Sequence, residues 1–222
     1  MPMKNTLINY QPSSEQEVLL PIDADGSISV WFADRELRFA SQTTPQAKTI
    51  AYQGEESIPK AKVITFLENN KTVVVLSPNP REAFDAFARQ MTWVEAAGGV
   101  VENEQGEVVM IRRNVRWDLP KGHREVGETF AECAAREAEE ETGVAVNEVT
   151  RLLTTTLHSY NLYGRWELKH TAWYAMRAHR GELRPQGEEG IVAAEWVSRE
   201  SLGERLKSTF PTIKAVFAAF NK

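Results

Sequence analysis

The strongest constraint on the fold comes from residues 122–144, which read GHREVGETFAECAAREAEEETGV. Thr129 and Glu132 form the Thr-x-x-Glu pattern of a capping box, in which each residue satisfies a backbone N–H at the start of a helix. Gly143 supplies a C-terminal stop, because glycine readily adopts the left-handed conformation found there. The segment therefore predicts a helix whose two ends are defined, from about residue 130 to about residue 142.

The faces of this predicted helix differ in chemistry. Small residues form one narrow stripe, which suits close packing against a sheet: Ala131, Ala134, Ala135 and Ala138. Glu137, Glu140 and Glu141 lie together on another face, where three like charges repel one another. A hard cation such as Mg²⁺ would relieve that repulsion, since it prefers carboxylate oxygens. A glutamate-rich helix is more often a solvated face, so composition alone leaves both interpretations open.

The residues that flank these glutamates favour the metal site. The segment matches the pattern G-x5-E-x7-R-E-U-x-E-E-x-G-U, in which U is a bulky aliphatic residue, at Gly122, Glu128, Arg136, Glu137, Glu140, Glu141, Gly143 and Val144. Such a match arises by chance on the order of once in a million chains of this size. The first U position departs from the pattern, because it holds the smaller Ala138 on the predicted packing side. The segment resembles the Nudix box, and the resemblance covers about residues 92–200.

This resemblance implies a fold and a metal site. The fold is the Nudix α/β/α sandwich with a mixed sheet, in which the box forms a loop, a helix and a second loop. By resemblance, Glu140 and Glu141 are the principal ligands of Mg²⁺ or Mn²⁺, and Glu137 is a ligand or the general base on water. The backbone carbonyl of Lys121, just before the first box glycine, is a further implied ligand.

The resemblance also implies supporting and catalytic residues. Glu128 and Arg136 match positions that brace the ligand carboxylates through ion pairs. A further catalytic acid follows the long hairpin in this family, and Glu188 and Glu189 are the two candidates here, with Glu189 preferred. Hydrolysis of a diphosphate requires neutralisation of charge on the phosphate oxygens and a base for the attacking water, which these residues would serve.

Substrate-binding candidates lie around the box. Arg112, Arg113, Lys121 and Arg124 place four cations near an acidic segment in a chain of net charge −5, so they are either phosphate contacts or ordinary surface charges. Tyr160 belongs to an aromatic cluster in the long hairpin, whose members either stack on a nucleobase or fill the core.

His123 and Cys133 each admit a plain interpretation. His123 resembles a position in members that hydrolyse diadenosine polyphosphates, but a lone loop histidine more often faces solvent. Cys133 lies inside the predicted helix, where a thiol is usually buried and inert.

The chain divides into two predicted regions. Residues 1–90 predict a small α/β domain with a hairpin at 27–40, a helix at 58–69, a strand at 71–77 and a helix after Asn79-Pro80. Residues 91–222 predict the Nudix domain, with strands near 93–101, 108–112, 149–160, 166–177 and 193–197, a helix capped by Ser198 and a C-terminal amphipathic helix. We expect the first region, which carries no recognised motif, to support a homodimer or to shape the substrate entrance.

Composition excludes several partners and compartments. The net charge is −5 and there is no long basic run, which argues against nucleic acid as a partner. We expect no membrane span and no secretory signal, since no apolar run approaches the necessary length. The single cysteine fits a reducing compartment, and we expect a cytoplasmic location.

The sequence thus predicts a metal-dependent hydrolase that cleaves a phosphoanhydride bond in a nucleoside diphosphate linked to another group, such as a dinucleoside polyphosphate or a nucleotide sugar. Two alternatives use the same fold without hydrolysis: a sensor that binds a nucleotide, and an isomerase or scaffold. Sensors of this kind carry a degraded box and a basic DNA-binding module, and the intact box argues against both alternatives.

Overall fold

The computed structural model describes residues 8–9 and 20–222. The strands are β1 (Ile8–Asn9), β2 (Ile28–Phe32), β3 (Arg35–Ala40), β4 (Lys48–Ala51), β5 (Thr72–Leu76), β6 (Thr92–Glu102), β7 (Val108–Arg113), β8 (Arg116–Asp118), β9 (Lys121–His123), β10 (Val146–Leu162), β11 (Arg165–Ala178) and β12 (Ile191–Val197). The helices are α1 (Lys60–Asn69), α2 (Pro80–Ala88), α3 (Phe130–Thr142), α4 (Arg199–Arg205) and α5 (Pro211–Phe220). Short 3-10 turns lie at Glu55–Ser57, Gly187–Glu189 and Leu206–Ser208.

The described residues form two compact units. The first unit contains the described residues up to Val94 together with Thr156–His170, and the second contains Glu95–Thr155 and Thr171–Lys222. The far part of the long hairpin, β10 and β11, therefore belongs to the first unit, whereas the sequence grouped it with residues 91–222. Whether residues 1–90 and 91–222 fold as independent domains stays a prediction.

The first unit has a mixed sheet. Strands β2 and β3 form an antiparallel hairpin, and Ala33 in its turn adopts a φ of 55°. Strand β5 runs parallel to both β3 and β4, and β10 runs parallel to β2 through the pair Leu157 and Val30. The order in this unit is β10, β2, β3, β5, β4.

Helices α1 and α2 supply apolar side chains to the core of the first unit. The ring of Phe39 on β3 meets those of Phe84 and Phe87 on α2 at centroid distances of 5.7 and 5.8 Å. Asn79 caps α2 by accepting a hydrogen bond from the backbone N–H of Glu82. The structure has a helix or a strand at each position predicted for one within residues 27–88.

The second unit is a sheet with helices on both faces. Its strands follow the order β12, β7, β6, β11, β10. Neighbouring residues of one strand point to opposite faces, so Val100 joins the core that contains α5, and Val101 joins the core that contains α3. Val108 and Val109 divide in the same way. This arrangement confirms the predicted α/β/α sandwich and mixed α/β class.

Four short strands were not predicted from the sequence: β1, β4, β8 and β9. Each has two to four residues, too few for an alternating pattern to stand out. Strand β9 matters for the site because it pairs antiparallel with β6, Gly98 facing Lys121 and Ala96 facing His123. Among the helices of the described residues, none is long and apolar enough to cross a membrane.

Candidate functional site

Helix α3 begins and ends where the sequence predicts. Thr129 Oγ1 accepts a hydrogen bond from the backbone N–H of Glu132 at 3.2 Å, and the Glu132 carboxylate accepts one from the backbone N–H of Thr129 at 2.8 Å. Gly143 follows the last turn with a φ of 71°, in the left-handed region. The capping box and the glycine stop therefore define the helix, and they set the positions of every side chain on it.

The small-residue face of α3 packs in the core, as predicted. Ala134 and Ala138 are fully buried, and Ala131 and Ala135 are partly buried. Cys133 is also buried, and its burial is the main reason that the pKa of its thiol is raised to about 12. A thiol that stays protonated at neutral pH is a poor nucleophile, so the prediction of an inert buried cysteine agrees with its surroundings.

Glu141 is the most deeply buried carboxylate of the box. Its side chain is 2% exposed, and its Oε2 accepts a hydrogen bond from the backbone N–H of Lys121 at 3.0 Å. Burial raises its pKa to about 7, although the positive charges of Lys121 and Arg113 oppose that shift. Charge interactions are stronger in such surroundings than in water. A further positive charge beside Glu141 would therefore stabilise its ionised form.

Glu137 lies directly against Gly122. A Cβ atom placed on Gly122 would stand 1.9 Å from Oε2 of Glu137, closer than any real contact. The first glycine of the box thus leaves room for the carboxylate, and strand β9 approaches α3 because that glycine has no side chain.

Arg136 forms hydrogen bonds to the three other box carboxylates, those of Glu128, Glu137 and Glu140. Its Nε and Nη2 donate to the two oxygens of Glu128 at 2.8 and 3.0 Å. Its Nη1 donates to Glu137 at 2.8 Å and to Glu140 at 2.9 Å, and its Nη2 also donates to the carbonyl of His123. These bonds hold the pKa of Glu128 below its usual range, chiefly through the hydrogen bond from Arg136. The arrangement suits the bracing role that the resemblance implied for Glu128 and Arg136.

The carboxylates are not arranged as a ready-made metal site. Across residues 8–9 and 20–222, no three His, Cys, Asp or Glu side chains come close enough together to hold an ion. The guanidinium of Arg136 lies between Glu137 and Glu140 instead. The donor set still suits a hard divalent cation, since it offers carboxylate oxygens, one of them buried and short of positive charge.

The four cations near the box have different surroundings. Arg113 Nη2 lies 2.7 Å from the Glu189 carboxylate and 3.6 Å from that of the buried Glu141. Arg112, the preceding residue on β7, is exposed. The Lys121 ammonium donates to the buried Asp118 at 2.7 Å, so its charge is already paired.

Arg124 is engaged within the fold. Its guanidinium donates to Glu95 through both Nε and Nη2 and to the carbonyl of Glu128 at 2.7 Å, and it lies over the ring of Phe130. These contacts favour a structural role for Arg124 over the substrate contact that we expected.

Tyr160 and His123 are each partly buried. Tyr160 belongs to the first compact unit, whereas the box belongs to the second, and burial together with a hydrogen bond to Glu167 raises its pKa. His123 is partly exposed and its Nε2 is shielded, so the ring only partly faces solvent. Of the two candidate acids, both are exposed, and Glu189 forms an ion pair with Arg113 beside the box.

The sequence interpretation missed two acidic residues. Glu95 on β6 has a side chain that is 8% exposed and pairs with Arg124, and Asp118 at the end of β8 is buried beside Lys121. Each stands in an otherwise apolar stretch, and a charged residue at a buried strand position is a signal of a specific partner.

Comparison with known proteins agrees with the box. The family model described as the NUDIX domain matches residues 92–220. The chain is 37% identical over 95 residues to a protein of Mycobacterium tuberculosis (strain CDC 1551 / Oshkosh) that carries the name mutator protein MutT4, a match that covers 43% of this chain and 38% of that protein. The chain thus spans well under half the length of this relative.

Two solved structures are similar to this chain at lower sequence identity. A MutT protein from Methanosarcina mazei Go1 shares 20% identity at a TM-score of 0.44, over 60% of this chain and 95% of that one. The NUDIX domain of Shewanella oneidensis NrtR, solved with ADP ribose, shares 17% identity at a TM-score of 0.46, over 59% and 88%. Since the family model covers more than half of its residues, the chain belongs to the NUDIX domain family.

Proposed function

We propose that this protein hydrolyses a phosphoanhydride bond in a nucleoside diphosphate linked to another group, and that it needs a divalent cation to do so. One observation carries the proposal. The residues of the box lie together in the second unit, where Glu141 is buried against the backbone of Lys121 and Glu137 lies against Gly122. Burial raises the pKa of Glu141 despite the nearby charges of Lys121 and Arg113, and a carboxylate perturbed in this way is expected at a functional site.

The candidate ligands are Glu140, Glu141 and the carbonyl of Lys121, with Glu137 as a ligand or a base. Members of this family generally use divalent ions, and Mg²⁺ or Mn²⁺ suits the oxygen donors found here. When bound, such an ion neutralises negative charge on phosphate oxygens and makes water easier to deprotonate.

The side chains of the protein supply the remaining steps. Glu137 accepts a proton from the attacking water in this proposal, since Arg136 holds one of its oxygens and the missing side chain of Gly122 lets the carboxylate lie against the box loop. Glu128 orients Arg136 through two hydrogen bonds and so fixes the position of Glu137. Glu189 is the proposed further acid, because Arg113 holds it next to Glu141.

The substrate class is a dinucleoside polyphosphate or a nucleotide sugar. The support is electrostatic: Arg113 ends β7 beside the buried Glu141, and guanidinium groups recognise phosphate through paired hydrogen bonds. A panel of dinucleoside polyphosphates, nucleotide sugars, ADP-ribose and nucleoside triphosphates, incubated with Mg²⁺ or Mn²⁺, tests the class through chromatography of the products. Tight binding of one compound without turnover of any would favour the nucleotide sensor.

The cation site is tested by Glu140→Gln with Glu139→Gln as its matched control. Glu140 pairs with Arg136 on the box face, whereas the neighbouring Glu139 accepts a hydrogen bond from the backbone N–H of Val146, which a glutamine oxygen still accepts. We expect Glu140→Gln to lower kcat/KM by about 100-fold and to reduce the rise in Tm on addition of Mg²⁺.

Without the cation, the free energy of unfolding of Glu140→Gln should differ from wild type by about 0.5 kcal/mol or less. Two small effects oppose each other in this variant. The substitution relieves repulsion among three carboxylates, and it removes the ion pair between Arg136 and Glu140, whose side chain is 52% exposed. Equal rates and equal responses to Mg²⁺ in both variants and wild type would contradict the metal assignment.

A further inference from the structure

Arg113 stands between an exposed carboxylate and a buried one. Its Nη2 lies 2.7 Å from Oε2 of Glu189, whose side chain is 51% exposed, and 3.6 Å from Oε1 of Glu141, whose side chain is 2% exposed. The first contact is a hydrogen-bonded ion pair, and the second is too long for a hydrogen bond. Arg113 therefore anchors to Glu189 and influences Glu141 by charge alone.

The hydrogen bonding of Arg113 is incomplete. A guanidinium group has five N–H donors in a planar fork. Its Nε is shielded from solvent and has no hydrogen-bond partner among residues 8–9 and 20–222. The side chain as a whole is 35% exposed, so a ligand can reach the remaining donors.

We propose, on the basis of the function proposed above, that Arg113 is an exchangeable counter-ion. In the cation-free protein it offsets the charge of Glu141, and when a divalent cation binds that carboxylate, Arg113 is repelled from it. The guanidinium, still held by Glu189, then donates its unused N–H groups to a non-bridging phosphate oxygen of the substrate. Arg113 thus links cation binding to recognition of the diphosphate.

Arg112 provides the matched control. It carries the same charge one residue earlier on β7, and alternation along a strand places it on the opposite face of the sheet. Its side chain is exposed and forms no ion pair within the described residues. A general effect of net charge would appear equally in Arg112→Met and Arg113→Met, whereas the proposed exchange would appear only in the second.

The first measurement is the Kd of Mg²⁺ alone for the metal-stripped full-length protein, by calorimetry at pH about 8.5, above the pKa of Glu141. Removal of a competing positive charge beside Glu141 should make Arg113→Met bind Mg²⁺ about tenfold more tightly than wild type. Arg112→Met should stay within about twofold of wild type, because its charge is exposed and screened.

The second measurement is steady-state kinetics at saturating Mg²⁺ on whichever compound of the panel above wild type hydrolyses fastest. Arg113→Met should raise KM about tenfold or more, since a charge-assisted hydrogen bond to phosphate is lost. Arg113→Lys keeps the charge and loses the fork, so it should bind Mg²⁺ within about twofold of wild type and still raise KM about tenfold. This variant also serves if Arg113→Met does not fold.

The two arms separate this proposal from the proposed function. A Kd for Mg²⁺ in Arg113→Met that equals or exceeds that of wild type would overturn the exchange, as would an unchanged KM in both Arg113 variants. If wild type hydrolyses nothing in the panel, the proposed function fails, and the Mg²⁺ measurement decides alone whether Arg113 and the cation compete. Tighter binding of Mg²⁺ in Arg113→Met with a raised KM in both Arg113 variants supports the whole proposal.

Discussion

Gly122 presents only hydrogen toward the carboxylate of Glu137. A methyl group at this position would lie 1.9 Å from Oε2 and 2.1 Å from Cδ of Glu137, so the carboxylate must move. Because the displaced atoms are the end of a flexible side chain, the stability cost of that movement is modest. The catalytic cost is large, since the base loses its position against the box loop.

We therefore expect Gly122→Ala to lower kcat/KM by about 10–100-fold, with a fall in Tm of only a few degrees. Gly181→Ala is the control, because its added methyl would meet nothing within 4 Å and its φ is not positive. Rates on the best substrate and melting curves for both variants check the prediction. An active Gly122→Ala enzyme would show that the contact with Glu137 is unimportant.

The residues of the box were predictable because a fixed spacing along one helix and its flanking loops carries them. The partners that come from elsewhere in the chain were not. Glu95 approaches Arg124 only because β9 pairs with β6, and Arg113 meets Glu189 across 76 positions of the sequence. Ion pairs at such separations leave no local pattern, so only the folded chain reveals them.

At the level of elements, the start of α3 controls the box. Thr129 accepts the backbone N–H of Glu132, and the helix that begins there carries Arg136 and Glu137 two turns further on. Thr129→Ala removes one half of the capping box and should lower the free energy of unfolding by about 1 kcal/mol. The midpoint of urea unfolding measures this change.

The control for the cap is Thr44→Ala, since Thr44 is exposed and lies outside any helix. It should move the midpoint very little. Because the Glu128–Arg136 pair still fixes the side chains, kcat of Thr129→Ala should stay within a few-fold of wild type. A loss of activity much larger than the loss of stability would mean that the cap positions the site directly.

Most elements were visible in the sequence, because hydrophobic alternation, proline and asparagine caps and a glycine stop all act locally. The assignment of the hairpin tip to the first unit was not visible. Nothing in the sequences of β10 and β11 marks the point at which they pass from one unit to the other, although Leu157 and Leu168 join the core that also contains Phe39 and Phe84. A periodic pattern shows which side chains are buried, but it does not show what covers them.

At the scale of the whole molecule, the tip of the β10–β11 hairpin, residues 156–170, predicts how a truncated protein would behave. Leu157 and Leu168 are fully buried in a core whose other members almost all lie before residue 95, and Trp166 packs against that core. A fragment of residues 91–222 keeps these three side chains and loses their neighbours. Burial of each leucine contributes about 1.5–3 kcal/mol to the stability of the fold. The fragment should therefore be less stable than the full-length protein, and its exposed apolar side chains should make it self-associate.

A pair of substitutions separates this effect from a general failure of the fragment to fold. Leu157→Thr with Leu168→Thr should make the fragment more soluble and monomeric in light scattering, because the exposed apolar surface is smaller. The same pair in the full-length protein should lower the free energy of unfolding by several kcal/mol, since it places hydroxyl groups in a packed core. A monomeric, stable fragment without the substitutions would show that residues 156–170 do not depend on the rest of the first unit. The same light-scattering measurement on the full-length protein tests whether residues 1–90 support a dimer.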